Sequence, residues 1–157
     1  MELQRIASFS VDHTKLDRGM YTSRVDGDVV TYDIRMKRPN GGDYLENAAM
    51  HTMEHLFATY ARSSAFSAHV IYVGPMGCRT GFYLLVRSMS EVDVIALVQQ
   101  SMAFIAAYEG AIPGASEPEC GNFREQDLPG AKREAAAMAE VLKSWTPEQL
   151  VYPAYLD

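Results

Sequence analysis

The chain is short of cysteine, has one tryptophan, contains no long apolar run and carries no excess of positive charge. Each shortage excludes something. Two cysteines, Cys78 and Cys120, in 157 residues do not make a disulfide scaffold, and they read as working thiols rather than a structural bridge. No stretch approaches the roughly 20 apolar residues needed to span a bilayer, so no membrane role is expected. Fourteen basic against twenty acidic residues give a net charge of −6, and no basic-aromatic run offsets it; a nucleic-acid partner is not expected. Met1–Arg5 shows no cationic stretch leading into an apolar one, so the reading is a cytoplasmic protein without a secretory leader. Repeats, low-complexity tracts and linkers are also missing. What remains, 48% hydrophobic and 22% charged, fits one folded domain over residues 1–157.

Asp26-Gly27 is a hairpin turn signal between runs over Met20–Val25 and Asp28–Arg38. In the second run Val30, Tyr32, Ile34 and Met36 alternate with more polar neighbours, the period of a half-buried strand. Pro39-Asn40-Gly41-Gly42 breaks the chain before a helix expected over Tyr44–Ser63. Ala68–Val73 and Thr80–Ser88 read as two further strands, with Gly74-Pro75-Met76-Gly77-Cys78 between them. Ser90 and Asp93 resemble a capping box opening a helix to Glu109, with Gly110 past its end. Residues 111–129 carry three prolines and Cys120 and read as irregular; a last helix is expected over Ala131–Ser144. The predicted architecture is α+β, a four-stranded antiparallel sheet with helices packed on one face.

The pentad His51-Thr52-Met53-Glu54-His55 lies on the first of those helices. Imidazoles four residues apart are about 40° apart around a helix and about 6 Å apart along it, so both can address one ion with a carboxylate beside them. The order is the reverse of the zincin pattern and matches inverzincin. In helical projection Ala49, Met53, Leu56, Phe57 and Tyr60 form a core stripe. His51, His55, Ala58 and Arg62 share the opposite face, where Ala48, Ala58 and Ala65 are small and leave room for a site or a partner.

Two histidines need a third ligand, and Cys120 is the first candidate. A Cys/His set suits zinc or ferrous iron and leaves a fourth position open. Its neighbour Glu119 would instead give the two-His-one-Glu set of an inverzincin peptidase, and chain separation alone does not choose between them. Cys78 sits on a Gly-Pro-Met-Gly turn, where small residues let another molecule approach the backbone. Near a metal such a sulfur is a reactive thiolate. The competing readings are a buried cysteine acting as a small hydrophobe, and a fourth ligand closing a structural zinc site.

Three blocks, His51-Thr52-Met53-Glu54-His55-Leu56, Gly74-Pro75-Met76-Gly77-Cys78-Arg79-Thr80-Gly81-Phe82-Tyr83 and Glu119-Cys120-Gly121-Asn122, resemble the S-ribosylhomocysteine lyase (autoinducer-2 synthase) family. Ser8 to His13, Asp33-Ile34-Arg35, Pro39-Asn40, Asp127-Leu128 and Gly130-Ala131-Lys132 extend the likeness in family order over nearly the whole chain. The resemblance implies a cytosolic enzyme that cleaves the thioether of S-ribosylhomocysteine to homocysteine and 4,5-dihydroxy-2,3-pentanedione, the autoinducer-2 precursor. It implies one divalent metal per chain, ferrous iron replaceable by zinc or cobalt, on His51, His55 and Cys120. It implies a homodimer whose sheets pack together, with active sites at the interface. Ser8, His13, Arg35 and Arg62 match positions that line the substrate site.

The residue types suit that chemistry. Moving a carbonyl along an open-chain sugar needs a Lewis acid and repeated proton removal beside the carbonyl. Cys78 is assigned as the proton shuttle and Glu54 as general acid/base. Inverzincin peptidases are far longer, and 157 residues cannot build their enclosing chamber. Two departures stand out: many relatives carry Asp-Ile-Ser where this chain has Tyr72-Val73-Gly74, and usually a histidine where Gln126 stands.

Overall fold

Strand β1 (Gly19–Asp26) turns back through Gly27 and Asp28 into β2 (Val29–Arg35), with Gly27 at φ +63° as the tight turn demands. A second hairpin joins β3 (Val70–Pro75) to β4 (Gly81–Arg87), and the sheet order is β1-β2-β4-β3, antiparallel throughout. The computed structural model describes residues 1–157. Helices α1 (Asn47–Ser63), α2 (Glu91–Ala107) and α3 (Leu128–Leu142) close a single hydrophobic core against one sheet face. Tyr32, Ile34, Phe82, Leu84 and Val86 supply the sheet side, while Met53, Leu56, Phe57, Val98, Met102 and Met138 supply the helix side. The expected stripe of α1 is buried there, apart from Tyr60, which is half-buried and stacks on Phe104 of α2.

Element boundaries differ from expectation where tertiary bonds compete with local preference. The first helix begins at Asn47, three residues late, because Leu45 is fully buried and its N–H donates to the Arg79 carbonyl across the second hairpin. Strand β2 ends at Arg35 because the N–H groups of Met36 and Lys37 both turn to the Thr80 carbonyl. The last helix begins early, at Leu128, since Asp127 caps it by accepting from the Gly130 N–H and Pro129 sits in the first turn. A proline there loses no hydrogen bond. Ser90 caps α2 as expected, accepting from the Asp93 N–H.

The second face of the sheet is polar where it is buried. A strand alternates its faces, so Asp33 and Arg35 point away from the helices. Asp33 is fully buried and Arg35 is 3% exposed, under a small cluster of Val11, Leu16, Tyr21 and Tyr152. Tyr21 comes from β1 and the others from the two terminal segments, which hold each other. Val11 bridges Tyr155, the Asp12 N–H donates to the Ala154 carbonyl, and the Leu156 N–H donates to the Ser10 carbonyl. No helix is long and apolar enough to cross a membrane.

Candidate active site

The two imidazoles of α1 converge as their spacing predicts. His51 Nδ1 lies 2.7 Å from the Glu125 carbonyl oxygen, and His55 Nδ1 lies 2.7 Å from that of Pro113. A carbonyl only accepts, so each Nδ1 carries the proton and donates it. Each Nε2 is therefore a bare lone pair, and the two sit 3.1 Å apart. The Cys120 sulfur is 3.4 Å from His51 Nε2, and all three donor atoms lie within 4.8 Å of one another. Two acceptors and a sulfur crowded this closely repel unless a positive charge stands among them.

The donor set fits a divalent ion. Nitrogens at about 2.0–2.1 Å and a sulfur at about 2.3 Å from a tetrahedral ion give edges of about 3.3 and 3.6 Å. The observed separations, 3.1 and 3.4 Å, fall slightly inside both. The carbonyls of Glu125 and Pro113 fix ring tautomer and tilt from behind, the usual task of outer partners at a metal. Glu119, the competing third ligand, turns away: its Oε2 accepts from the Ser116 hydroxyl at 2.5 Å. No disulfide joins Cys78 to Cys120.

Glu54 projects beside the cluster. Its Oε2 is 3.8 Å from His55 Nε2 and takes part in no hydrogen bond, which leaves the carboxylate free to exchange a proton. Thr52, two residues earlier, is buried and ties α1 to the segment that brings Cys120. Its hydroxyl donates to Gln126 Oε1 at 2.7 Å and accepts from the Asp127 N–H at 2.9 Å. Gln126, an unassigned departure in the sequence, thus clamps the ligand loop. Gly114 at φ +71° lets that loop pass His55, since a β-carbon there would meet Nδ1 at 3.2 Å.

Cys78 lies elsewhere, on the turn between β3 and β4. It faces an open cavity of about 500 Å³ whose lining includes Ser8, His13, Arg35, Tyr44 and Thr80. Three of the four expected substrate contacts are therefore gathered round it. Ser8 and His13 arrive on the N-terminal segment, and His13 Nδ1 donates to the Val11 carbonyl at 2.8 Å, leaving Nε2 free. Arg35 arrives from β2, but its fork is occupied. Nε and Nη2 donate to the two oxygens of Asp33 at 3.1 and 2.5 Å, and Nη1 donates to Thr80 Oγ1 at 2.7 Å. Burial pulls the Arg35 pKa down; the Asp33 charge and bonds and the nearby Cys78 sulfur outweigh it, so the net direction is up. Arg62, the fourth, is not at the cavity. It donates to the Ile71 carbonyl at 2.6 Å and braces α1 on β3.

Sequence reasoning assigned no role to Asp33, Thr80, Tyr152 or Gln126. Asp33 and Thr80 at least stand next to assigned residues in their motifs. Tyr152, whose hydroxyl donates to Asp33 Oδ2 at 2.7 Å, gave no signal at all.

Neither the triad nor Glu54 shares a lining residue with the Cys78 cavity, so one chain presents two separate groups of functional side chains. Comparison with known proteins assigns them to one family. Residues 6–149 match the family model described as S-ribosylhomocysteinase (LuxS). The S-ribosylhomocysteine lyase of Desulfotalea psychrophila is 46% identical, covering 97% of this chain and 100% of that protein. That of Phocaeicola vulgatus is also 46% identical, covering 96% and 98%. That of Borreliella burgdorferi is 43% identical, covering 96% and 100%. With two bare imidazole nitrogens and a sulfur at one locus and an exposed thiol at another, the chain belongs to the S-ribosylhomocysteine lyase family.

Proposed function

We propose that this chain cleaves the carbon–sulfur bond of S-ribosylhomocysteine, releasing homocysteine and 4,5-dihydroxy-2,3-pentanedione. The convergence of His51 Nε2, His55 Nε2 and the Cys120 sulfur carries the reading. These three would hold one divalent ion, ferrous iron in preference and zinc or cobalt as substitutes. When bound, the ion supplies Lewis-acid polarisation of the sugar carbonyl, which acidifies the neighbouring C–H bonds.

The chain's own groups move the protons. Cys78 takes a proton from C2 and returns it to C1, then takes one from C3 and returns it to C2, carrying the carbonyl from C1 through C2 to C3. Glu54, with no hydrogen bond of its own, exchanges protons with the sugar hydroxyls. Once the carbonyl reaches C3, removal of the C4 proton forms the C4–C5 double bond and breaks C5–S. The electron pair leaves with sulfur, which is protonated as homocysteine, and the remaining C4 enol gains a proton at C5 and loses its hydroxyl proton to become the second carbonyl of the dione. Each proton carrier is expected to contribute about 10²–10⁴-fold. Ser8 and His13 bind the substrate beside Cys78, and Arg35 supplies fixed positive charge there. Arg62, exposed on α1, remains the outer candidate for the substrate carboxylate.

The separation of the two groups supports a homodimer in which the Cys78 cavity of one chain meets the triad and Glu54 of its partner, the sheets pairing between them. Such an enzyme belongs in the cytoplasm, where its substrate is made and its thiols stay reduced.

Metal-loaded protein incubated anaerobically with S-ribosylhomocysteine should release homocysteine thiol, and Cys78→Ala should abolish release while keeping about one ion per chain. No release by the wild type overturns the lyase reading. Mixing inactive Cys78→Ala and His51→Ala chains should restore about a quarter of the activity, because one site in each mixed dimer is intact. No restoration after subunit exchange overturns the shared-site arrangement.

A further inference from the structure

Thr80 is 3% exposed, and its Oγ1 touches Arg35 Nη1 at 2.7 Å and Cys78 Sγ at 3.0 Å. The direction of both bonds follows from the donor inventory. A guanidinium has only donors, so Thr80 accepts from Arg35. The buried hydroxyl has no partner besides these two, so its one proton is left for the sulfur, and a thiolate at Cys78 can only accept it. The Thr80 hydroxyl therefore donates to Cys78 Sγ.

Arg35 cannot rotate out of this role. Both oxygens of Asp33 hold its Nε and Nη2, and Asp33 Oδ2 also accepts from the Tyr152 hydroxyl. Tyr152 is 5% exposed and anchored by the pairing of the chain ends. Burial, then the Asp33 charge, pushes its pKa upward, so it stays protonated and remains a donor. The chain of donation is complete: Tyr152 to Asp33, Arg35 to Asp33 and to Thr80, Thr80 to Cys78. The buried polar side chains leave no partnerless atom.

We propose that Thr80 is a positioning residue that aims Cys78 and stabilises negative charge on its sulfur, with Tyr152 of the C-terminal segment fixing the far end of the relay. This rests on the lyase reading for its purpose, though its geometry does not depend on it. A hydrogen bond into a sulfur favours the charged form, and the charged form is the proton acceptor the reaction needs. Other titratable groups facing the cavity are His13 from the N-terminal segment, Tyr44 from the loop before α1, and Tyr83 from β4.

The test is the pH profile of iodoacetamide alkylation at Cys78 in metal-loaded protein, read by mass spectrometry of the peptide carrying that residue. In Thr80→Val the profile should move to higher pH, with the rate at neutral pH falling about tenfold. Thr80→Ser restores the hydroxyl and should alkylate like the wild type. Tyr152→Phe keeps the ring and removes only the bond to Asp33, and should show a smaller fall in the same direction. A wild-type profile in folded Thr80→Val overturns the proposal. Should Thr80→Val not fold, an unchanged profile in Tyr152→Phe overturns it instead. Alkylation needs no substrate, so this failure is distinct from an absence of homocysteine release by the wild type.

Discussion

Cys120 and Cys78 hold sulfur in opposite kinds of surroundings. Around Cys120 stand two imidazole nitrogens whose protons are committed to backbone carbonyls behind them. Around Cys78 stand a hydroxyl and, behind it, a guanidinium locked to a buried carboxylate. A sulfur among lone pairs suits a cation; at a sulfur facing donors, hydrogen bonding favours the charged form. On the proposed mechanism the same atom is a ligand in one place and a base in the other, and its neighbours' protons make the difference.

Breaking the ligand pocket should have the largest effect. His51→Ala and Cys120→Ala should each lower bound metal by more than about 100-fold, since outer partners alone are worth about 10–100-fold. Metal analysis of purified protein measures it. Cys78→Ala should keep its metal while losing about 10²–10⁴ in turnover. Loss of metal in Cys78→Ala would make both sulfurs ligands and erase the contrast.

The thiol pocket is more vulnerable through the fold than through its ligands. Removing Asp33 strands the Arg35 guanidinium, which is 4% exposed, in the interior. Breaking a buried pair from one side costs about 3–5 kcal/mol. Asp33→Ala should therefore show that loss in urea unfolding, whereas Glu54→Gln, at a half-buried carboxylate without hydrogen bonds, should lose activity and little stability. Equal stability losses in the two variants would mean that the relay is no more structural than the proton carrier.

How well each pocket could be read from sequence follows from how far its parts are apart along the chain. His51 and His55 need one helical period, and that period is visible locally. Cys120 is reached because bonds from Thr52, His51 and His55 tie a proline-rich segment across α1, and no local pattern encodes them. The first hairpin was legible from alternation and from Asp26-Gly27, and β3 and β4 from their β-branched and aromatic content. The burial of Asp33 and Arg35 was not, since alternation assigns them to the open face and the cover comes from a tyrosine 119 residues on. Nothing nearby in sequence announces that Asp33 and Thr80 hold three of the five Arg35 N–H donors. The start of α1 slipped for the same reason, as Leu45 bonds across to Arg79.

A gentler probe of the ligand pocket is Gly114→Ala. The residue sits at φ +71°, where a side chain is strained, and its β-carbon would press on His55 Nδ1 at 3.2 Å. Left-handed backbone costs a residue other than glycine about 1–2 kcal/mol. The loop should hold, but the imidazole must tilt, and metal affinity should fall about tenfold, within the range for outer partners. A competition titration with a chelator reads this. Unchanged affinity would mean that the Pro113 carbonyl, and not the fit of the loop, sets the ring.

The smallest effect concerns the departure at Tyr72 and Gly74. Tyr72 is 56% exposed on the edge strand, and its ring lies over residue 74, where a β-carbon would stand 2.5–2.7 Å from the ring atoms. Glycine at 74 therefore leaves room for the Tyr72 ring where it lies, which couples the two positions. Gly74→Ser alone should cost at most about 1 kcal/mol, because an exposed ring can swing away. Tyr72→Asp alone should cost little, since it removes only a half-exposed ring. The double variant should be more stable than the sum of the single changes, with a coupling of about 0.5 kcal/mol or more in a double-mutant cycle. Additive effects would show that the ring has other places to rest. The edge would then tolerate either pair of residues, independently of the Cys78 turn that begins two residues further on.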